Sequence, residues 1–214
     1  MSLKKYITFE KKNFLNIFRV SFAGTLFYFF IIFCSTRFFG LGLLDAVRDN
    51  PIIWNESFLY GIISNIGISF WAIASIIAFN SYFKFAKIKN RNLNRFFILG
   101  GTISTFLLLT DLLDFHNYFE NTIYLIIVIL NLLLAFLFFK IKVLRQILFC
   151  FFIAYAFLSI SMLIDILQSK TIFNQIPYSL SSLYEELFKF LGIINWNLSW
   201  ITIYQKIKKY SFKY

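Results

Sequence analysis

The chain has 214 residues, 59% of them hydrophobic, 22% aromatic and 14% charged, with a mean hydropathy of +0.73. One soluble core cannot absorb that much apolar surface, so lipid must cover the excess, and a soluble enzyme or soluble binding domain is excluded. A formal net charge of +11 would suggest nucleic acid in a soluble protein, but in a hydrophobic chain the positive-inside rule accounts for nearly all the basic residues, and no nucleic-acid partner is expected.

The basic N-terminal segment MSLKKYITFEKKNFLNIFR leads into an apolar run over 20–39. That run is longer than a signal peptide's hydrophobic region and no small-residue cleavage site follows it, so it reads as a retained first span. A nearly neutral loop over about 40–56 holds Gly40, Gly42 and Pro51, which suit a helix stop and turns. The second span, 58–79, carries Gly61, Asn65 and Ser69 at spacings of four, which puts them on one helix face. Small and polar residues on such a face allow close helix approach, so all three are expected to face the bundle interior.

After the basic stretch KFAKIKNRNLNR comes a third span, 96–113, with Gly101, Ser104 and Asp111 spaced so that a small-residue face leads to a carboxylate. A short turn around 116–121 is expected before a largely aliphatic fourth span, 122–139. The fifth span, 147–167, brings Asp165 to its end. In the sixth, 183–204, Ser181-Ser182 followed by Glu185-Glu186 has the spacing of a capping box. Both cysteines, Cys34 and Cys150, sit inside apolar runs without CxxC spacing and read as buried thiols.

These readings predict an all-α fold: a polytopic integral membrane bundle of about six transmembrane helices, one membrane domain over residues 1–214. Sidedness follows from charge. With both termini cytoplasmic, all of the 21 Lys and Arg except Arg37, Arg48, Lys170 and Lys189 fall on the cytoplasmic side. Of the ten acidic residues only Glu10 does. The expected location is the cell (inner) membrane, with the lipid bilayer as the first partner.

The outer surplus of acid is the place to look for chemistry, because ionisable groups at the ends of spans are costly unless satisfied. Asp111, Asp114, His116, Asp165 and Glu185 come from the outer ends of spans three, five and six and are candidates to hold a cation or a divalent metal ion. A metal there could activate water toward a lipid ester. Lys189 is the candidate internal counter-ion for the same carboxylates. No HExxH, GxSxG or phosphate loop occurs, so no named hydrolase or ATPase mechanism is indicated.

The stretch Thr110-Asp111-Leu112-Leu113-Asp114-Phe115-His116-Asn117 resembles the D-D-x-x-x-x-H-E stretch of uncharacterised polytopic membrane proteins from cyanobacteria and other bacteria. Glu185-Glu186-x-x-Lys189-x-x-Gly192-x-x-x-Trp196 is similar to their last span. Here Thr110 and Asn117 stand where that pattern is acidic. The resemblance implies a multi-pass fold and carries no activity. Two classes of function therefore stay open. One is a membrane enzyme or metal-binding protein using the outer cluster for lipid-directed hydrolysis. The other is a non-enzymatic protein, either a small transporter or an accessory subunit packing against a membrane-protein partner or a second copy of itself.

The unbroken alternation of basic and base-poor loops makes the topology testable by cysteine accessibility in intact cells. A thiol placed in the loop at 168–182 should react with an impermeant reagent from outside, and one at 81–95 should not. Equal labelling of both contradicts the orientation.

Overall fold

The computed structural model describes residues 11–47, 61–86, 90–113, 115–141, 144, 147–169 and 177–211. Among them the regular structure is entirely helical. Seven helices run in the order α1 Lys11–Phe39, α2 Leu43–Val47, α3 Ile62–Phe85, α4 Arg91–Leu112, α5 Phe115–Lys140, α6 Leu148–Ser169 and α7 Tyr178–Ser211. Four stretches are long and apolar enough to cross a membrane: Phe14–Phe39, Ile62–Phe85, Arg91–Leu112 and Phe149–Gln168. A shorter apolar stretch, Leu125–Lys140, lies in α5.

The apolar helices are arranged around the least apolar long one. The α7 helix has 34 residues, roughly 51 Å at 1.5 Å per residue. It packs most extensively against α6 and α3, then against α1, while α4 pairs with α3 and α5 with α4. Polar residues in its middle are buried: Asn195, Asn197 and Ser199 are at most 5% exposed. Lipid-facing positions elsewhere are large and apolar, as on α1, where Phe18, Phe22, Phe30 and Phe33 are exposed.

Burying amides in an apolar bundle requires partners for them. Asn195 Nδ2 donates to the Ser21 hydroxyl of α1 at 2.9 Å, and Asn197 Nδ2 donates to the Phe70 carbonyl of α3 at 3.0 Å. On the α4 side the Trp196 indole N–H donates to Ser104 Oγ at 2.9 Å. Ser75 and Thr105 join α3 to α4 through their hydroxyls at 2.7 Å, and the Tyr155 hydroxyl donates to Asn131 Oδ1 at 2.7 Å between α6 and α5. Around these bonds the core is aromatic. Phe151 stands edge-on to Trp196 and to Trp200, with ring centroids 5.1 and 5.5 Å apart, a favourable geometry for quadrupolar rings.

Several local expectations are corrected. Gly61 is buried but lies ahead of α3 rather than on its face, with a left-handed φ of 63°, a turn conformation that glycine adopts without a Cβ penalty. Ser69 is exposed, its hydroxyl returned to the Asn65 carbonyl at 3.0 Å. The buried face of α3 instead runs through Ser64, Gly67, Trp71, Ala74, Ser75 and Ala78. Residues 116–121, expected as a turn, lie inside α5, since FHNYFEN contains no Gly or Pro to stop a helix. The α7 helix begins directly after Pro177, whose carbonyl accepts from Leu180 and Ser181 N–H. The expected capping box is therefore absent: Ser181 lies one turn inside, and its hydroxyl donates to the Tyr178 carbonyl at 3.0 Å.

The seat of the fully buried Trp200 ring of α7 against α4 depends on Gly100, where an added Cβ would overlap that ring. Gly100→Val should lower stability by the roughly 1–3 kcal/mol typical of overpacking. Thermal unfolding in detergent checks this, and an unchanged midpoint contradicts the packing described.

Candidate functional site

One end of the bundle gathers ionisable side chains from two helices and an indole from a third. The first turns of α7 supply Glu186 and Lys189, which are neighbours on the helix surface because they are three residues apart. The last turn of α4 supplies Asp111, and α3 contributes Trp71. Lys189 Nζ lies 3.6 Å from Asp111 Oδ1 and 3.6 Å from Glu186 Oε1. The Trp71 indole N–H donates to the other Asp111 oxygen, Oδ2, at 2.8 Å.

Burial gives these contacts their weight. The side chains of Lys189, Asp111 and Glu186 are 18%, 15% and 7% exposed, so little solvent screens their charges, unlike a surface ion pair. Among the contacts of the described residues, two carboxylates face one ammonium. They line a small cavity of about 10 Å³ together with Ile63, Ser64, Gly67, Phe190 and Ile193. That is about the space one water molecule needs. Water or a small ion fits it; a lipid headgroup with its ester does not.

Neighbouring elements hold this end together. The Tyr28 hydroxyl of α1 donates to the Leu183 carbonyl at 2.7 Å, fixing the start of α7. The short α2 packs beside it, with Ala46 and Val47 fully buried and Val47 in an apolar cluster with Ile63, Leu187 and Phe190.

Of the residues expected to share a metal ion, Asp111, Asp165 and Glu185 have described side chains. Among the described residues no group of three or more His, Cys, Asp or Glu side chains is placed to hold a metal ion. The register of α7 explains this: it presents Glu186 and Lys189 to Asp111, while Glu185 is one residue and so about 100° further round the helix, and Asp165 is near the end of α6. Asp114 lies outside the described residues. His116 is in the first turn of α5, and its side chain lies outside them too.

The structure brings Lys189 and Asp111 together, and places Ser104 in the buried core as acceptor from Trp196 and donor to the Gly100 carbonyl at 2.9 Å. Gly101 is buried, its Cα facing the Phe79 ring so closely that a Cβ would come within 2.8 Å. Asn65 is half-buried in the first turn of α3. Sequence reasoning missed Trp71 as a partner of Asp111 and treated Glu186 as a helix cap. The three-residue spacing of Glu186 and Lys189 could have signalled their pairing. Nothing local marks Trp71, whose partner is 40 residues away.

Fold and site together define an all-helical bundle, four of whose helices can cross a membrane, with an acid–lysine–acid centre at one end. Over residues 22–202 the chain matches the family model described as a domain of unknown function, DUF8692, and it belongs to that family. No curated protein and no solved structure matches it.

Removing one partner of a buried pair leaves an uncompensated charge, which costs about 3–5 kcal/mol. Lys189→Met should therefore destabilise the bundle by an amount near the lower end of that range. Adding Asp111→Asn and Glu186→Gln should restore most of the loss. Unfolding measured on the single and triple variants checks both, and a triple variant no more stable than the single one contradicts mutual compensation.

Proposed function

We propose that this is a six-span protein of the cell (inner) membrane with both termini cytoplasmic, whose acid–lysine–acid centre binds a small cation from the outer side without catalysing lipid hydrolysis. The observation that carries this reading is the placement of Lys189 between Asp111 and Glu186 in a partly dehydrated pocket. Two carboxylates gathered around one ammonium repel each other and so favour a shared small positive charge, a proton being the smallest.

Two features support six spans and the orientation. The α5 and α7 helices supply the two crossings beyond the four most apolar ones, each longer than the ~20 residues a bilayer requires. Helix ends also segregate by charge: Lys84 at the end of α3 meets Tyr204 in the last turns of α7, whereas Asp111 at the end of α4 meets Lys189 near its start. The aromatic layer of Trp71, Phe96, Phe97, Phe151, Trp196 and Trp200 fills the bundle between those ends. This solid midplane favours a cation-responsive accessory subunit over a small transporter, whose conduction requires hydration through the midplane.

Trp71 reports on the site directly, because its indole N–H is bonded to the Asp111 carboxylate. In proteoliposomes, tryptophan emission should shift on acidification, or on adding Na⁺ or Mg²⁺ at fixed pH. Asp111→Asn should abolish the shift and Trp71→Phe should remove most of its amplitude. Emission unresponsive to all three cations, or a response unchanged in Asp111→Asn, overturns the proposal.

A further inference from the structure

The opposite end of the bundle carries charge of the other sign. Lys84, Arg91, Arg95, Lys140, Lys208 and Lys209 are exposed there. Described acids lie elsewhere: Asp45 in α2, Asp111 and Asp165 near the ends of α4 and α6, and Glu185 and Glu186 near the start of α7. Within this basic end one spot is organised. The Lys84 ammonium donates to the Tyr204 hydroxyl at 2.6 Å, joining the end of α3 to α7. Lys208 follows Tyr204 by four residues and so lies on the same face of α7.

Below that spot the surface is apolar, and we infer a lipid channel there from the helix arrangement. Both α1 and α3 pack on α7, yet they make no extensive contact with one another among the described residues, so α7 is the floor between them. The floor is apolar: Ile201, 39% exposed, precedes Tyr204 by three residues, and half-buried Leu198 lies a turn deeper. On α3, Ile73 and Ile77 precede Lys84 by eleven and seven residues, which aligns them beneath it on one helix face.

We propose that this site binds one anionic phospholipid, its phosphate held by Lys84, Tyr204 and Lys208 and an acyl chain lying between α1 and α3 over Ile201. Charge complementarity selects the headgroup, since lysines near the surface of an anionic leaflet attract it. The Tyr204 hydroxyl accepts from Lys84 and keeps its own proton to donate to a phosphate oxygen. The channel selects a molecule with a tail, so a free phosphate lacks half of the recognition. This inference rests on membrane insertion and is independent of the ionic centre.

The test is lipid titration of the purified, delipidated full chain, read by native mass spectrometry, with phosphatidylglycerol, phosphatidylcholine and inorganic phosphate as probes. The first phosphatidylglycerol should bind saturably and more tightly than phosphatidylcholine. Lys84→Gln and Lys208→Gln should each weaken it roughly fivefold, the equivalent of about 1 kcal/mol per lysine. Lys209→Gln removes the same charge from another face and should leave it unchanged. Ile201→Trp should block the channel and weaken binding with every charge intact. Equal losses from Lys208→Gln and Lys209→Gln, no loss from Ile201→Trp, or displacement by inorganic phosphate at equal concentration overturns the proposal. Unfolding midpoints in phosphatidylcholine, expected to match wild type for the lysine variants, separate lost binding from lost fold.

Discussion

Everything in this bundle depends on burying a polar helix among apolar ones. In lipid an unsatisfied polar group has no water to fall back on, so the neighbours that offer partners to the polar side chains of α7 set its position, although the buried Trp200 indole N–H and the Asn195 and Asn197 amide oxygens have none among the described residues. The α1 helix offers the Ser21 hydroxyl, α3 the Phe70 carbonyl, and α4 the Ser104 hydroxyl and the Asp111 carboxylate. These partners fix the rotation and register of α7. Lipid-facing leucines and phenylalanines could not, because lipid tails are as apolar as they are.

The ionic centre is the most demanding of these contacts. A lone carboxylate at the end of a spanning helix is costly; here one ammonium is shared by two carboxylates, and an indole N–H takes the second Asp111 oxygen. The same arrangement limits what the site can do. A cavity of about 10 Å³ between Ile63, Phe190 and Ile193 leaves room for a single water or small ion beside the charges. The functional reading follows from that combination of neighbouring carboxylates and small volume.

How much of this was legible in the sequence depended on whether the signal was local. Apolar runs and basic loops are local, so the helical class and the helices around 20–39, 58–79, 96–113 and 147–167 could be read from them, with ends displaced by several residues where no Gly or Pro marked a stop. The small-residue stripe on α3 shows the limit of spacing arguments: Gly61, Asn65 and Ser69 fit a face as well as Ser64, Gly67 and Trp71 do, and only packing against α4 and α7 selects the second set. Partners of the α7 residues lie 92, 127 and 174 positions away, so Ser104, Phe70 and Ser21 could not be assigned to them. Among the described residues Asp111, Asp165 and Glu185 form no group placed to hold a metal ion, while Asp114 and the His116 side chain, the other members of that expected site, lie outside them.

The central claim is that Lys189 bridges α7 to the end of α4. A dipolar-recoupling solid-state NMR measurement between ¹⁵Nζ of Lys189 and ¹³Cγ of Asp111, on protein in lipid bilayers, tests it most directly. With Nζ 3.6 Å from Oδ1, the account predicts a dephasing curve for a nitrogen–carbon separation of about 4 Å, the range of a direct ion pair. A curve that shows no coupling, with the two nuclei beyond about 6 Å and the charges no longer in contact, would contradict it.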